Sequence, residues 1–300
     1  MTNFKNTSVI SKVIDNNQFI CSVEINPPVG TFDLQNIIDT TNKLHQAGID
    51  TINIADGPRA LIRMSNWAMG QIIKQETNIN PMLHVCCRDK SFLGLQSHIL
   101  GLHALGFRDL VIITGDPPNL GLYPNSTGVF DLNSIQLLKT IKNYNLGFDP
   151  SGKEMPKTNF KCATGVEPAA DNYALEIERL KLKKEAGADI VLTQPIYDYD
   201  RLYQFLQDAK TIGIPVMLGL CPLVNHKNAM FLTQKIRGMS VPQNILERML
   251  KAEHDNHARQ EGITIAREIL SEFKSQIQGV YIMPQLGHYD MALDILKDFI

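Results

Sequence analysis

The chain reads as one α/β domain, a (β/α)8 TIM barrel, on three observations. Eight short apolar runs recur along it, an amphipathic helical pattern follows each run, and a helix-ending phrase built on glycine precedes several of them. Strands apolar on both faces and alternating with helices require a parallel sheet, and eight such units in 300 residues match a closed barrel. A doubly wound open sheet would use fewer strands and favour a glycine-rich loop after the first. That place holds Asn26-Pro27-Pro28-Val29-Gly30, with no GxGxxG.

In order, an N-terminal extension or short helix is expected over 1–18 and the barrel over 19–300. The first strand, 19–25, is apolar around one acid and stops on Pro27-Pro28, which lack ladder N–H groups. A helix over 34–47 ends in Ala47-Gly48-Ile49-Asp50, where glycine takes the left-handed cap, and leads into strand 51–55. Helix 60–75, strand 82–86 and helix 92–105 follow. The second glycine phrase, Leu105-Gly106-Phe107-Arg108-Asp109, leads into strand 110–114. Helix 132–143 precedes a surface excursion over 143–159 rich in Gly and Pro, then strand 160–166. Helix 172–186 ends in Ala186-Gly187-Ala188-Asp189 before strand 190–194. Helix 199–209, strand 215–220, helices 228–235 and 245–272, strand 279–283 and helix 289–299 complete the series.

A net charge of −2 offers no cationic field for nucleic acid or an anionic membrane, so a small-molecule ligand is expected. The N-terminus is polar, and no apolar run approaches the ~20 residues that span a bilayer, which gives a cytoplasmic expectation. The five cysteines are odd in number and lie mostly in strand-like segments, as reduced, buried thiols do. Neighbours Cys86 and Cys87 point to opposite faces of a strand and are poorly placed to share a metal. His254 and His257 read as a solvated face of a charged helix, so no metal site is expected.

Function in such barrels sits at the C-terminal strand ends, and here those ends are polar. They carry Glu24 and Asn26, Asn53 and Asp56, His84 with Arg88 and Asp89, Thr114-Gly115-Asp116-Pro117-Pro118, Glu167-Pro168, and Thr193-Gln194-Pro195. Glu24 stands between Val23 and Ile25, where an unpaired charge costs several kcal/mol unless the group shifts its pKa, finds a partner or faces a cavity. An edge strand with Glu24 in water, or a structural ion pair, would satisfy the same pattern. Gly115 lets a flat ligand approach the backbone, and Gln194 offers both a donor and an acceptor.

Glu24 before Pro-Pro, His84 leading Cys-Arg-Asp, Gly-Asp-Pro-Pro at 115–118, Lys183 before Glu185-Ala186-Gly187-Ala188, and Thr193-Gln194 together resemble the methylenetetrahydrofolate reductase family. In detail the chain is similar to the reductase half of fused homocysteine methyltransferase and reductase proteins, through Thr114 to Pro118, Gln194-Pro195-Ile196-Tyr197 and Asn228-Ala229-Met230-Phe231-Leu232. The resemblance runs from about Phe19 to the C-terminus.

It implies a flavoprotein oxidoreductase of one-carbon metabolism and methionine biosynthesis, with FAD across the barrel mouth. NADPH or NADH would be the reductant and a folate the substrate, in a cytoplasmic homo-oligomer. By resemblance Glu24 and Asp116 are catalytic, Glu24 as the general acid, and Gln194, Asn228 and Phe231 or Leu232 bind the folate. For FAD the matching positions are His84, Thr114, Gly115, Asp116, Val129, Glu167, Ala170, Glu176 and Lys183. The flanks Val23 and Ile25 are expected to raise the pKa of Glu24 by desolvation.

The chain departs from the better-known bacterial pattern at Thr114, where Arg is usual, at Ala55-Asp56, where Thr-Tyr is usual, and at Glu167, where His is usual. Those departures motivate a second expectation, a non-catalytic flavin- or folate-binding subunit serving a separate methyltransferase or electron donor. A barrel lyase or aldolase using Lys183 or a metal is a third. It is disfavoured because Lys183 falls mid-helix.

Overall fold

A computed structural model describes residues 8–30, 34–236 and 238–300. Eight strands close into a barrel in sequence order: β1 (Ile20–Ile25), β2 (Thr51–Ile54), β3 (Met82–Cys86), β4 (Asp109–Ile113), β5 (Lys161–Val166), β6 (Ile190–Thr193), β7 (Val216–Leu220) and β8 (Gly279–Ile282). Every neighbouring pair is parallel, and β8 returns to β1 with Ser22 opposite Tyr281.

The strands alternate between two cores. Cys21, Val23 and Ile25 of β1 point outward into the layer shared with the helices, while Ile20 packs inside the barrel with Met82, Val111, Ala163, Ile190, Leu192 and Met217. By the same two-residue period Ser22 and Glu24 face inward, Glu24 uppermost.

Helix α1 (Val9–Asn16) closes the floor. Val9, Ile10 and Val13 join the inner core, each worth roughly 1.5–3 kcal/mol when buried. Buried Asp109, at the start of β4, caps this helix by accepting from the Ser8 hydroxyl and from the backbone N–H groups of Val9 (2.7 Å) and Ile10 (3.2 Å).

The outer layer comprises α2 (Leu34–Gln46), α3 (Asn66–Thr77), α4 (Phe92–Ala104), α5 (Ser134–Leu146), α6 (Tyr173–Ala186), α7 (Tyr199–Ile212), α8 (His226–Lys235), α9 (Gln243–His254), α10 (Ala258–Phe273) and α11 (Tyr289–Leu296). Gly187 ends α6 at φ 115°, the left-handed cap the sequence pattern predicts.

Two helices differ from expectation. The helix expected from residue 60 begins at Asn66, because Gly57, Arg59 and Ala60 all take positive φ and fold into a tight turn. The single helix expected over 245–272 breaks after His254, where Asn256 is left-handed at φ 58° and His257 N–H donates to Ala252 O at 2.8 Å. His254 and His257 therefore do not share a helix face. Among the described residues, no cluster of His, Cys, Asp and Glu is arranged to hold a metal, and all five cysteines are buried free thiols.

Candidate active site

Glu24 reaches the barrel mouth from inside. Val23 and Ile25 face the helices, so they do not desolvate it as the sequence pattern suggested; the barrel interior does. Burial raises its pKa to about 7, and the Asn26 amide, donating to Oε1 at 3.4 Å, partly opposes that rise. The Tyr281 hydroxyl donates to Oε2. A carboxyl poised near neutrality can both hold and give a proton at physiological pH.

Around it stand other inward groups. Asn53, fully buried on β2, donates through Nδ2 to Ser22 Oγ at 2.9 Å, and Ser22 in turn donates to Val280 O at 3.2 Å. His84 on β3 is held neutral by burial, its pKa lowered to about 4, and its ring tilts against Tyr281 at 6.3 Å. Asn26 Oδ1, Asn53 Oδ1 and His84 Nε2 are buried without a hydrogen-bond partner. Unsatisfied buried polar atoms cost about 1–3 kcal/mol each, a burden that a polar ligand at the mouth would relieve. Gln194 arrives half-buried just beyond β6, its N–H on Val166 O at 2.8 Å.

The rim is built by loops pinned to one another. Arg88, 4% exposed, forks onto Asp89 with two bonds of 2.8 Å and donates to Gly57 O and Asp116 O, both at 3.1 Å. One guanidinium thus fastens the loop after β2 to the loop after β4. Asp116 itself is exposed and caps the turn at Arg59, accepting from its N–H at 3.0 Å. The Arg59 guanidinium then lies 5.6 Å from the Phe231 ring, a cation–π contact that spans the rim to α8. Gly115, at φ 95°, presses on Cys86 and on the Cβ of Arg88, leaving no room for a side chain.

The expected site residues therefore divide. Glu24 and His84 both meet Tyr281 inside the mouth, Gln194 stands half-buried just past β6, and Asp116 and Phe231 sit on the rim. Leu232 is 2% exposed in the helix–barrel core, so of the pair only Phe231 is presented outward. Asn228 is occupied at the start of α8, its N–H on Asn225 Oδ1 at 2.8 Å and its Oδ1 accepting from Val224 N–H at 3.2 Å.

Thr114 Oγ1 serves α5 by accepting from Ser134 N–H at 3.1 Å. Val129, 37% exposed, has its N–H on Arg88 O. Ala170 N–H closes a turn on Glu167 O at 3.0 Å, and Glu176 Oε1 accepts from Glu167 N–H at 3.2 Å. Lys183 departs furthest from expectation. It is 6% exposed, lowered in pKa by burial, and its ammonium donates to Gly165 O at 2.7 Å within the layer between α6 and β5.

The sequence reading assigned no role to Tyr281 or Arg59 and placed Arg88 only at a strand end. The inward parity of position 281 in β8 was a usable signal for Tyr281. Nothing local in the sequence marks Arg59, because its place follows from a turn in which Gly57, Arg59 and Ala60 all take positive φ.

A floor sealed by a helix, with a titratable acid, a neutral imidazole and open amide groups at the carboxyl ends of the strands, defines a (β/α)8-barrel protein with an acid–base site at its mouth. The family model described as methylenetetrahydrofolate reductase matches residues 9–297, and the chain belongs to that family.

A probable methylenetetrahydrofolate reductase (NADPH) of Caenorhabditis elegans is 24% identical over 262 residues, 84% of this chain and 37% of that protein. The 5,10-methylenetetrahydrofolate reductase of Buchnera aphidicola subsp. Schizaphis graminum is 25% identical, with 73% of this chain and 71% of that protein covered. The alignments with the worm protein and three plant reductases span only 37–45% of those proteins' lengths. Among solved structures, an uncharacterized Clostridium thermocellum protein that binds two copies of 5-methyl-5,6,7,8-tetrahydrofolic acid shares the fold. Its TM-score is 0.67 at 15% identity, with 97% and 98% of the two chains covered. No helix among the described residues is long and apolar enough to cross a membrane.

Proposed function

We propose that the chain reduces 5,10-methylenetetrahydrofolate to 5-methyltetrahydrofolate, using FAD with NADPH or NADH as the reductant. The observation that carries this reading is Glu24, an inward carboxyl at the mouth whose pKa stands near 7. Ring opening of the folate needs a proton on one of its bridging nitrogens, and a carboxylic acid half-protonated at neutral pH can give it. Bound flavin would supply the two-electron, hydride-carrying chemistry that no side chain provides.

The mouth fits the ring of such a cofactor through His84 Nε2, which is buried and unpartnered. Asp116 and Gln194 would hold and orient the pterin, and Phe231 would cover it from α8. His84 stays neutral and so adds no positive charge where a proton must leave Glu24. Lys183 gives one of its three N–H donors to Gly165 O, and the remaining donors would be those available to a cofactor phosphate.

The departures at Ala55-Asp56, Thr114 and Glu167 motivate one second reading, a subunit that binds folate or flavin for a separate catalyst. Absorbance near ~450 nm, its bleaching by NADPH or NADH, and turnover of 5,10-methylenetetrahydrofolate separate the two. Bound flavin that bleaches and passes its electrons to the folate supports the reductase. Folate binding without flavin or turnover supports the subunit. The reading extends to a cytoplasmic homo-oligomer, which light scattering on the purified protein tests directly.

A further inference from the structure

Among the described residues, Glu24 has two hydrogen-bond donors. Asn26 lies on the same strand and is 3.4 Å away, a long bond. The other, Tyr281, comes from β8 and donates to Oε2. In the β1–β8 register Tyr281 stands opposite Ser22, so it lies one inward layer below Glu24 and its ring runs up the barrel axis to reach the carboxyl. The ring is itself fixed. It is 5% exposed, packs with Met82 and Met217 in the inner core, and is flanked by His84 at 6.3 Å.

We infer that Tyr281 is the positioning residue of Glu24: its hydroxyl holds Oε2 as the carbonyl oxygen of the acid, so that the transferable proton resides on Oε1 and faces the mouth. The assignment rests on Glu24 being the general acid. It explains why a tyrosine is placed inside a barrel whose inner core is otherwise mostly aliphatic and thioether. A hydroxyl donor orients a carboxyl without adding a positive charge that would ionise it outright.

The other groups near Glu24 do not compete in the same pH range. His84 from β3 titrates at about 4, the Cys221 thiol after β7 is pushed up to about 12, and Tyr289 at the head of α11 is raised above its ordinary range. Arg63, whose charge acts on Tyr289, completes the set.

The experiment follows the Glu24 carboxyl carbon by NMR in protein labelled at glutamate, the resonance being assigned by its loss in Glu24→Gln. The Tyr281→Phe substitution removes a donor that favours the ionised form, so the midpoint should rise, by about one pH unit. Folate reduction should lose about tenfold in kcat with KM little changed, and the descending limb of its pH profile should move up by the same interval. Should Tyr281→Phe fail to fold, 3-fluorotyrosine incorporation leaves the packing intact and strengthens the phenol as a donor, which should lower the midpoint. An unmoved midpoint in either experiment overturns the assignment, whatever the activity. A moved midpoint in a protein that reduces no folate would leave the Tyr281–Glu24 coupling standing and overturn the proposed function alone.

Discussion

Gly115 lies against Cys86 so closely that a Cβ at position 115 would collide with Sγ, and the backbone there already has φ 95°. Two costs therefore fall on any side chain at this position, one steric and one conformational. Gly115→Ala should destabilise the protein by about 2–4 kcal/mol, read as a fall in the urea midpoint. Adding Cys86→Ala should recover only part of that loss, since it removes the collision and leaves the positive φ. Full recovery would show that the backbone conformation costs nothing.

Glu24→Gln tests the acid directly. Reduction of bound flavin by NADPH or NADH should persist, while folate turnover should fall on the order of 10²–10⁴-fold, as for the loss of a general acid. Stopped-flow bleaching and steady-state assays separate the two steps, and equal loss in both would remove Glu24 from the proton-transfer role.

The same residue sets a pH dependence. With its pKa raised to about 7, the protonated acid is depleted as pH rises through neutrality, so kcat/KM for the folate should decline above pH 7. Stability follows the same sign. The folded pKa lies above the ordinary 4.5, so the folded state binds the proton more tightly, and its contribution is full below about pH 4.5 and lost as pH rises through 7. Glu24→Gln should consequently be more stable than the parent at pH 8, by roughly 1–3 kcal/mol, and not at pH 4, as thermal melts at the two pH values would show.

Arg88 is a buried cation satisfied by two carbonyls and one carboxylate. Arg88→Met should cost about 2–4 kcal/mol by leaving Gly57 O and Asp116 O unpaired, and Arg88→Lys somewhat less, because an ammonium keeps the charge and a donor though it cannot match the planar fork. The loss should appear in denaturation and also as weakened ligand binding at the mouth. The exposed control Lys210→Arg should change neither.

The barrel was readable because both of its cores leave a trace in the chain: strands apolar on two faces, and glycine at helix ends such as Gly187. Glu24 was readable because a carboxylate amid apolar residues is costly anywhere. What the sequence misassigned was the direction of that cost. Val23 and Ile25 are neighbours in the chain but face the helices, and the groups that surround Glu24, namely Tyr281 of β8, His84 of β3 and Cys221 just past β7, are distant in the sequence. The burial of Lys183 was not legible for a similar reason. Whether a lysine on a helix meets a ligand or a backbone carbonyl depends on the rotation of α6 against β5, and no local pattern encodes that. The rim turn at Arg59 was hidden because non-glycine residues there adopt conformations that sequence rules reserve for glycine.

Helix α1, pinned by Asp109, gives the barrel a floor and therefore a single doorway. Whatever passes over Glu24 must enter and depart by the same opening, so two reactants cannot be loaded from one end and discharged from the other. They form a queue, and the slowest departure from that doorway, rather than any bond-making step, can set the tempo of the whole cycle.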